Sequence, residues 1–184
     1  MVMDDEVVMR RCVGCGALVP DVEGPVHPYM ESSPGCWQWY GELNAAGTYV
    51  AGAADVVRWH PVDCFAAQHP GGAVGDRRQR QSVAVHLTAL CLIREFDLPV
   101  GRLPQIRQHM STTVLPRLGL GDWPYLEPPG SLGSITVADV HRAVAGEELA
   151  RAVDAWSAGV WQAWRTHHDT VRRFAQAVLG GTTP

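Results

Sequence analysis

Cys12 and Cys15 have two residues between them, and Gly14 and Gly16 beside them permit the tight turn in which backbone amides face two thiolates. Eleven residues separate Cys15 from His27, and eight more separate His27 from Cys36. A C-x2-C pair with a later His and Cys is the ligand set of a Cys3His structural zinc site. The arms between these residues are rich in Pro and Gly and cannot build a core of their own. A metal would supply the missing stability. Cys12, Cys15, His27 and Cys36 are therefore the expected ligands of a structural zinc within residues 11–36.

A second constellation is dispersed along the chain. His86 lies in QSVAVHLTALCLIR, residues 81–94, an apolar run in which an unpaired polar group would cost roughly 1–3 kcal/mol. His69 precedes Pro70, Gly71 and Gly72, so it sits on an extended backbone at a helix exit, well placed to point into a cleft. His167 falls near the centre of the apolar stripe of the last helix, and His168 at its edge beside Trp161. Asp63 and Glu127 are the nearby carboxylates. Imidazoles on facing helices are how helical bundles build metal sites. Three protein ligands with an open position suit catalytic zinc, and two His with a carboxylate suit non-haem iron. The expectation is that His69, His86 and His167 or His168 bind a second metal, zinc or iron, or serve as acid and base. Asp63 would orient an imidazole. Neither H-E-x-x-H nor E-x-x-H occurs, so this expectation rests on the combination and on no local motif.

The elements that must position these residues are mostly helical. Ser33 and Pro34 open a helix through CWQWYGELNA, with Cys36 in its first turn, where the dipole favours a thiolate. A short helix is expected around residues 62–68. Asp76 caps the central helix, whose residues 82–93 carry no charge when His86 is neutral, as a helix buried on nearly all sides requires. It is too short to span a bilayer, which takes about 20 apolar residues. A further short helix covers about 100–110. Residues 115–134 form a long Pro- and Gly-rich loop, and Thr136 with Asp139 resembles a capping box for a helix through His141 and Val144. From about 146 to 179, Leu149, Val153, Trp156, Val160, Ala163, His167, Val171, Phe174 and Val178 recur at helical spacing, read as one continuous helix.

Composition bounds the chemistry. The 184 residues fit one domain that buries a real core, and 46% hydrophobic with 18% charged residues is a globular balance. A net charge of −4 gives no reason to expect nucleic acid or an acidic membrane surface. All 15 basic residues are arginine. The missing lysine excludes a P-loop and a pyridoxal Schiff base. There is no G-x-S-x-G and no dinucleotide fingerprint. The acidic N-terminus lacks the order of a signal peptide, so a cytoplasmic location is expected, and five cysteines in a reducing compartment read as ligands or buried thiols.

The segments C-x2-CGA, GPVHPYMESSPGCWQWYGE, VDCFAAQHPG, QSVAVHLTALCL and the C-terminal W-x2-HH together resemble an uncharacterised, mainly actinobacterial family known only as a domain of unknown function. The resemblance runs from about Cys12 to Phe174. It implies a single small domain of unassigned activity, sometimes encoded near specialised-metabolism genes. The positions that match its pattern are Cys12, Cys15, His27, Cys36, Asp63, His69, His86, His167 and His168. Cys64 and Phe65 depart from that pattern, so no role is carried over to Cys64.

The reading that results is a mostly α, bundle-like single domain over residues 1–184. It has a zinc-knuckle-like element at 11–36 and a helical core at 76–179. The expected function is a metal-dependent enzyme that hydrolyses a small molecule or transfers a group from it. The alternative is a non-catalytic, zinc-stabilised interaction domain in which the histidines pack and the aromatic loop from Trp123 to Pro129 meets a partner.

Overall fold

In the computed structural model, residues 7–49, 55–71, 73–114, 116, 124–143 and 146–180 are described. Trp123 and Val144, singled out in the sequence, lie outside them. The chain enters through a short antiparallel hairpin, β1 (Met9–Arg11) and β2 (Leu18–Pro20), with Arg10 opposite Val19. Between the strands, Cys12 and Gly16 close the knuckle turn: the Gly16 amide donates to the Cys12 carbonyl at 3.0 Å, and Gly16 takes the positive φ (74°) that such a turn requires. Helix α1 (Pro34–Tyr49) follows. Ser33 precedes it as expected, but its hydroxyl accepts from the Val13 amide at 3.1 Å and so ties the knuckle to the helix start.

Two short helices, α2 (Asp55–Trp59) and α3 (Pro61–Gln68), lead to the central α4 (Arg77–Phe96). Asp76 caps α4 by accepting from the Arg78 and Gln79 amides. Val83, Leu87, Leu90 and Leu92 of this helix are buried, as its uncharged middle demands. Asp97 ends it in the left-handed conformation, with its amide on the Leu92 carbonyl. A turn of 3-10 helix leads into α5 (Leu103–His109), which continues into a π-helical turn over Met110–Val114. Next comes α6 (Val137–His141), where the Thr136 amide donates to the Asp139 carboxylate at 2.9 Å to form the expected capping box.

The expected single C-terminal helix is two, α7 (Glu147–Ala163) and α8 (His168–Gly180), joined by a 3-10 turn over Arg165–His167. The physical reason lies at Trp161. Its carbonyl takes the Trp164 amide at 3.1 Å and the His168 Nε2 proton at 2.9 Å, so it is not left to a regular helical partner. The His168 ring lies flat on the Trp161 indole, 3.7 Å between centroids. The break turns both halves inward on the same apolar stripe: α7 packs on α3 and α8 on α4. Trp156 and Trp164 of this segment are fully buried, and their indole N–H groups reach Gln68 Oε1 at 2.8 Å and the Ala67 carbonyl at 3.1 Å. Among the described residues, no helix is long and apolar enough to cross a membrane. The fold is mostly α, with a cysteine-rich hairpin element at its N-terminal end.

Candidate functional site

The knuckle, the first turn of α1 and the exit of α3 converge on one point. Cys12 and Cys15 come from the turn, Cys36 from α1 and His69 from the C-cap of α3, and all four ligand atoms lie within 4.8 Å of one another. Cys15 Sγ is 3.8 Å from Cys36 Sγ, and His69 Nε2 is 3.6 Å from Cys12 Sγ and 3.4 Å from Cys36 Sγ. A tetrahedral zinc with Zn–S near 2.3 Å and Zn–N near 2.0–2.1 Å would set S···S at about 3.8 Å and S···N at about 3.5 Å. The three distances above match those spacings.

The tautomer of His69 fits a ligand as well. Its Nδ1 is 2.7 Å from the Phe65 carbonyl oxygen, which only accepts, so a proton sits on Nδ1 and Nε2 is the nitrogen that faces the sulfurs. Hydrogen bonds from Cys15 and Cys36, and then the His69 imidazole, hold the Cys12 thiol far below its ordinary range despite burial. The same shared hydrogen bonds, together with burial, push Cys36 up. Like charges this close oppose one another, and a divalent cation among the sulfurs would relieve that repulsion. A Cys3His site able to bind zinc is thus present, with Cys12, Cys36 and His69 buried and Cys15 half-exposed.

Gly14 shows how tightly the turn is seated. A Cβ there would lie 2.0 Å from the Glu31 carbonyl oxygen and 2.7 Å from the His69 ring.

His27, the expected fourth ligand, stands outside this group. Its ring packs edge-on to Tyr29 at 4.2 Å and tilted on Trp37 at 5.4 Å, and its buried Nδ1 has no hydrogen-bond partner among the described residues. Burial, then the charge of His86, lowers its pKa. The imidazole thus meets Tyr29 and Trp37 and not the thiols.

A second cluster surrounds Asp63, which is fully buried in α3. Arg107 of α5 sets its Nη1 at 2.9 Å from Oδ1 and 3.0 Å from Oδ2, and His86 Nδ1 donates to Oδ1 at 2.8 Å. His60 Nδ1 lies 3.5 Å from Oδ2, and its Nε2 is 2.6 Å from Ser157 Oγ on α7. Burial pushes the Asp63 carboxyl up, but Arg107, His60 and His86 overcome it and hold the group well below the ordinary carboxylate range. A carboxylate only accepts, so the His86 proton at this contact is on Nδ1 and Nε2 is left as the basic nitrogen. His86 and Arg107 line a cavity of about 610 Å3, together with Tyr29, Met30 and Val85. That is within the size range of small-molecule sites.

The remaining expected residues do other work. His167 Nε2 donates to the Glu127 carbonyl at 2.8 Å, and His168 bonds within its own helix junction. Neither joins the Asp63 cluster or the cysteines. The histidines taken together in the sequence thus divide: His69 goes to the cysteines, His86 to Asp63, and His167 and His168 to backbone carbonyls. Among the described residues, the cysteine-centred group is the one Cys/His/Asp/Glu cluster with metal-ligand spacing. Sequence reasoning passed over Arg107. A signal was present, because Leu103, Ile106, Arg107 and Met110 form an i, i+3, i+4, i+7 stripe, which places the arginine on the core face of α5. His60 and Ser157 carry no comparable signal.

No curated protein and no solved structure matches the chain. A family described only as one of unknown function matches it over residues 10–165, a span that holds every member of both clusters. The chain belongs to that family, DUF5946.

Proposed function

We propose that the protein is an enzyme acting on a small molecule by hydrolysis or group transfer, with a structural zinc at Cys12, Cys15, Cys36 and His69 and His86 as its acid–base group. The observation that carries this reading is the 2.8 Å contact of His86 Nδ1 with the buried Asp63 carboxylate, made by a histidine that lines the cavity. A carboxylate behind an imidazole fixes its tautomer and stabilises the imidazolium that forms when Nε2 takes a proton. Arg107 and His60 keep Asp63 ionised and in place. Zinc acts through the fold: it joins the knuckle, α1 and α3, and α3 carries Asp63. The reading needs one ion, and the five free thiols suit a reducing compartment such as the cytoplasm.

The test uses zinc-loaded full-length protein against a panel of activated esters, amides and phosphate esters. Turnover of at least one class is expected, with His86→Gln lowering kcat by roughly 10²–10⁴-fold. The fold and the zinc content should be retained. A His86→Gln variant as active as the parent would contradict the reading.

A second reading, a zinc-stabilised interaction module, is favoured by a different observation. Val8, Met9, Val13, Leu18 and Val22 on and around the hairpin are exposed, an apolar grouping of the kind that marks protein contacts. A His86→Gln variant that keeps every cellular phenotype, beside a Val13→Asp/Leu18→Asp variant that loses it, would select this reading.

A further inference from the structure

Resting on the acid–base reading of the same cavity, we infer that its ligand is a small organic anion, a carboxylate or phosphate ester on an apolar body, held by Arg107 and Arg78. The lining contains two arginines and no carboxylate, in a chain whose net charge is −4. Arg107 spends Nη1 on Asp63 and on the Trp59 carbonyl at 3.2 Å, while Nε and Nη2 make no hydrogen bond with the described residues. Two of the five N–H donors of the planar fork are thus committed to the protein, and three are left over on a residue that lines the cavity. The free edge of a guanidinium matches the paired oxygens of a carboxylate or phosphate.

Arg78 lies in the first turn of α4 and is exposed. It forms no ion pair among the described residues, which leaves its charge available at the cavity wall. Gln81, Ser82 and Ser111 add neutral hydrogen-bonding groups, and Tyr29, Met30 and Val85 give the apolar wall for the rest of the ligand. Bound there, an anion faces two guanidinium groups, beside the imidazole that Asp63 orients.

The probes are phenyl phosphate, benzoate and neutral benzyl alcohol, titrated by calorimetry into zinc-loaded full-length protein. Saturable binding of at least one anion is expected, ten-fold or more tighter than benzyl alcohol and weaker at high salt. The preferred anion separates phosphate esters from carboxylates. Arg107→Lys keeps a charge for Asp63 but loses the free fork edge and should weaken the anion ten-fold or more. Arg78→Gln, at an exposed position, should weaken it several-fold with an unchanged melting curve. Equal affinity for benzyl alcohol, parental affinity in both arginine variants, or no saturable binding of any probe would overturn the inference. His86→Gln separates it from the reading beneath it. Anion binding that survives in a variant with undiminished turnover fails the acid–base reading and keeps this one. Lost turnover with indifferent binding of anion and alcohol does the reverse.

Discussion

His69 donates its Nδ1 proton to the Phe65 carbonyl at 2.7 Å, one helical turn earlier in α3, and this contact aims Nε2 at the three cysteines. The same helix carries Asp63, buried and facing His86. One short helix therefore presents a zinc ligand at its end and the carboxylate of a candidate acid–base pair in its first turn. The proposed division of labour follows from this geometry, with zinc fixing α3 and α3 fixing the chemistry.

Arg107 is held to Asp63 through both carboxylate oxygens. Arg107→Leu takes the guanidinium from a buried carboxylate and should cost about 3–5 kcal/mol. Arg107→Lys should cost less, because a charge remains. Urea unfolding of zinc-loaded protein checks the order, and equal losses in the two variants would show that shape alone matters at this position.

Asp63 also makes a pH prediction. Its native pKa is depressed below the unfolded value of about 3.9, so the folded state favours the ionised form. The stability this adds is complete above that unfolded value and declines as pH falls through it toward the native pKa. The gap in urea midpoint between the parent and Asp63→Asn should be wide at pH 7 and begin to close below about pH 4. A gap that widens on acidification would contradict the pairing.

Gly14→Ala should disrupt the knuckle, since the new methyl would meet the Glu31 backbone at 2.0 Å and the His69 ring at 2.7 Å. Backbone cannot move aside as a flexible side chain can. Zinc affinity should fall at least ten-fold, read by competition with a chelating dye. Gly130→Ala, with open space around its Cβ, is the control and should bind zinc as the parent does.

Trp164→Phe keeps the ring in the core but removes the indole bond to the Ala67 carbonyl. The loss should be about 1–3 kcal/mol from the orphaned carbonyl and its bond. For a chain of this size that corresponds to a few degrees in Tm per kcal/mol. An unchanged melting curve would mean that the α7–α8 junction is held by Trp161 and His168 alone.

Much of the helical frame was legible because its signals are local. The apolar run around His86, the Asp76 cap and the Thr136–Asp139 box each act within a few residues, and each is present as read. The break at Trp164 was not legible, because the stripe from Leu149 to Val178 keeps its helical period across it. What interrupts the helix is a stacking pair, Trp161 and His168, seven residues apart, that no periodicity reveals. The zinc ligands show the same limit. Cys12, Cys15 and Cys36 lie close in sequence and meet in space, whereas the nearby His27 packs on aromatic rings and the distant His69 completes the group. The pairing of Asp63 with His86 depends on how α3 crosses α4, and the sequence offered both residues without the crossing.

Zinc content per chain, measured by elemental analysis on His69→Ala, His27→Ala, His86→Gln and the parent, all purified without chelator or added metal, bears on the whole account. One zinc in the parent is predicted, retained after substitution of His27 or His86 and lost or much weakened after substitution of His69. Two metals in the parent with one missing in His86→Gln, or zinc lost with His27 and kept without His69, would contradict it.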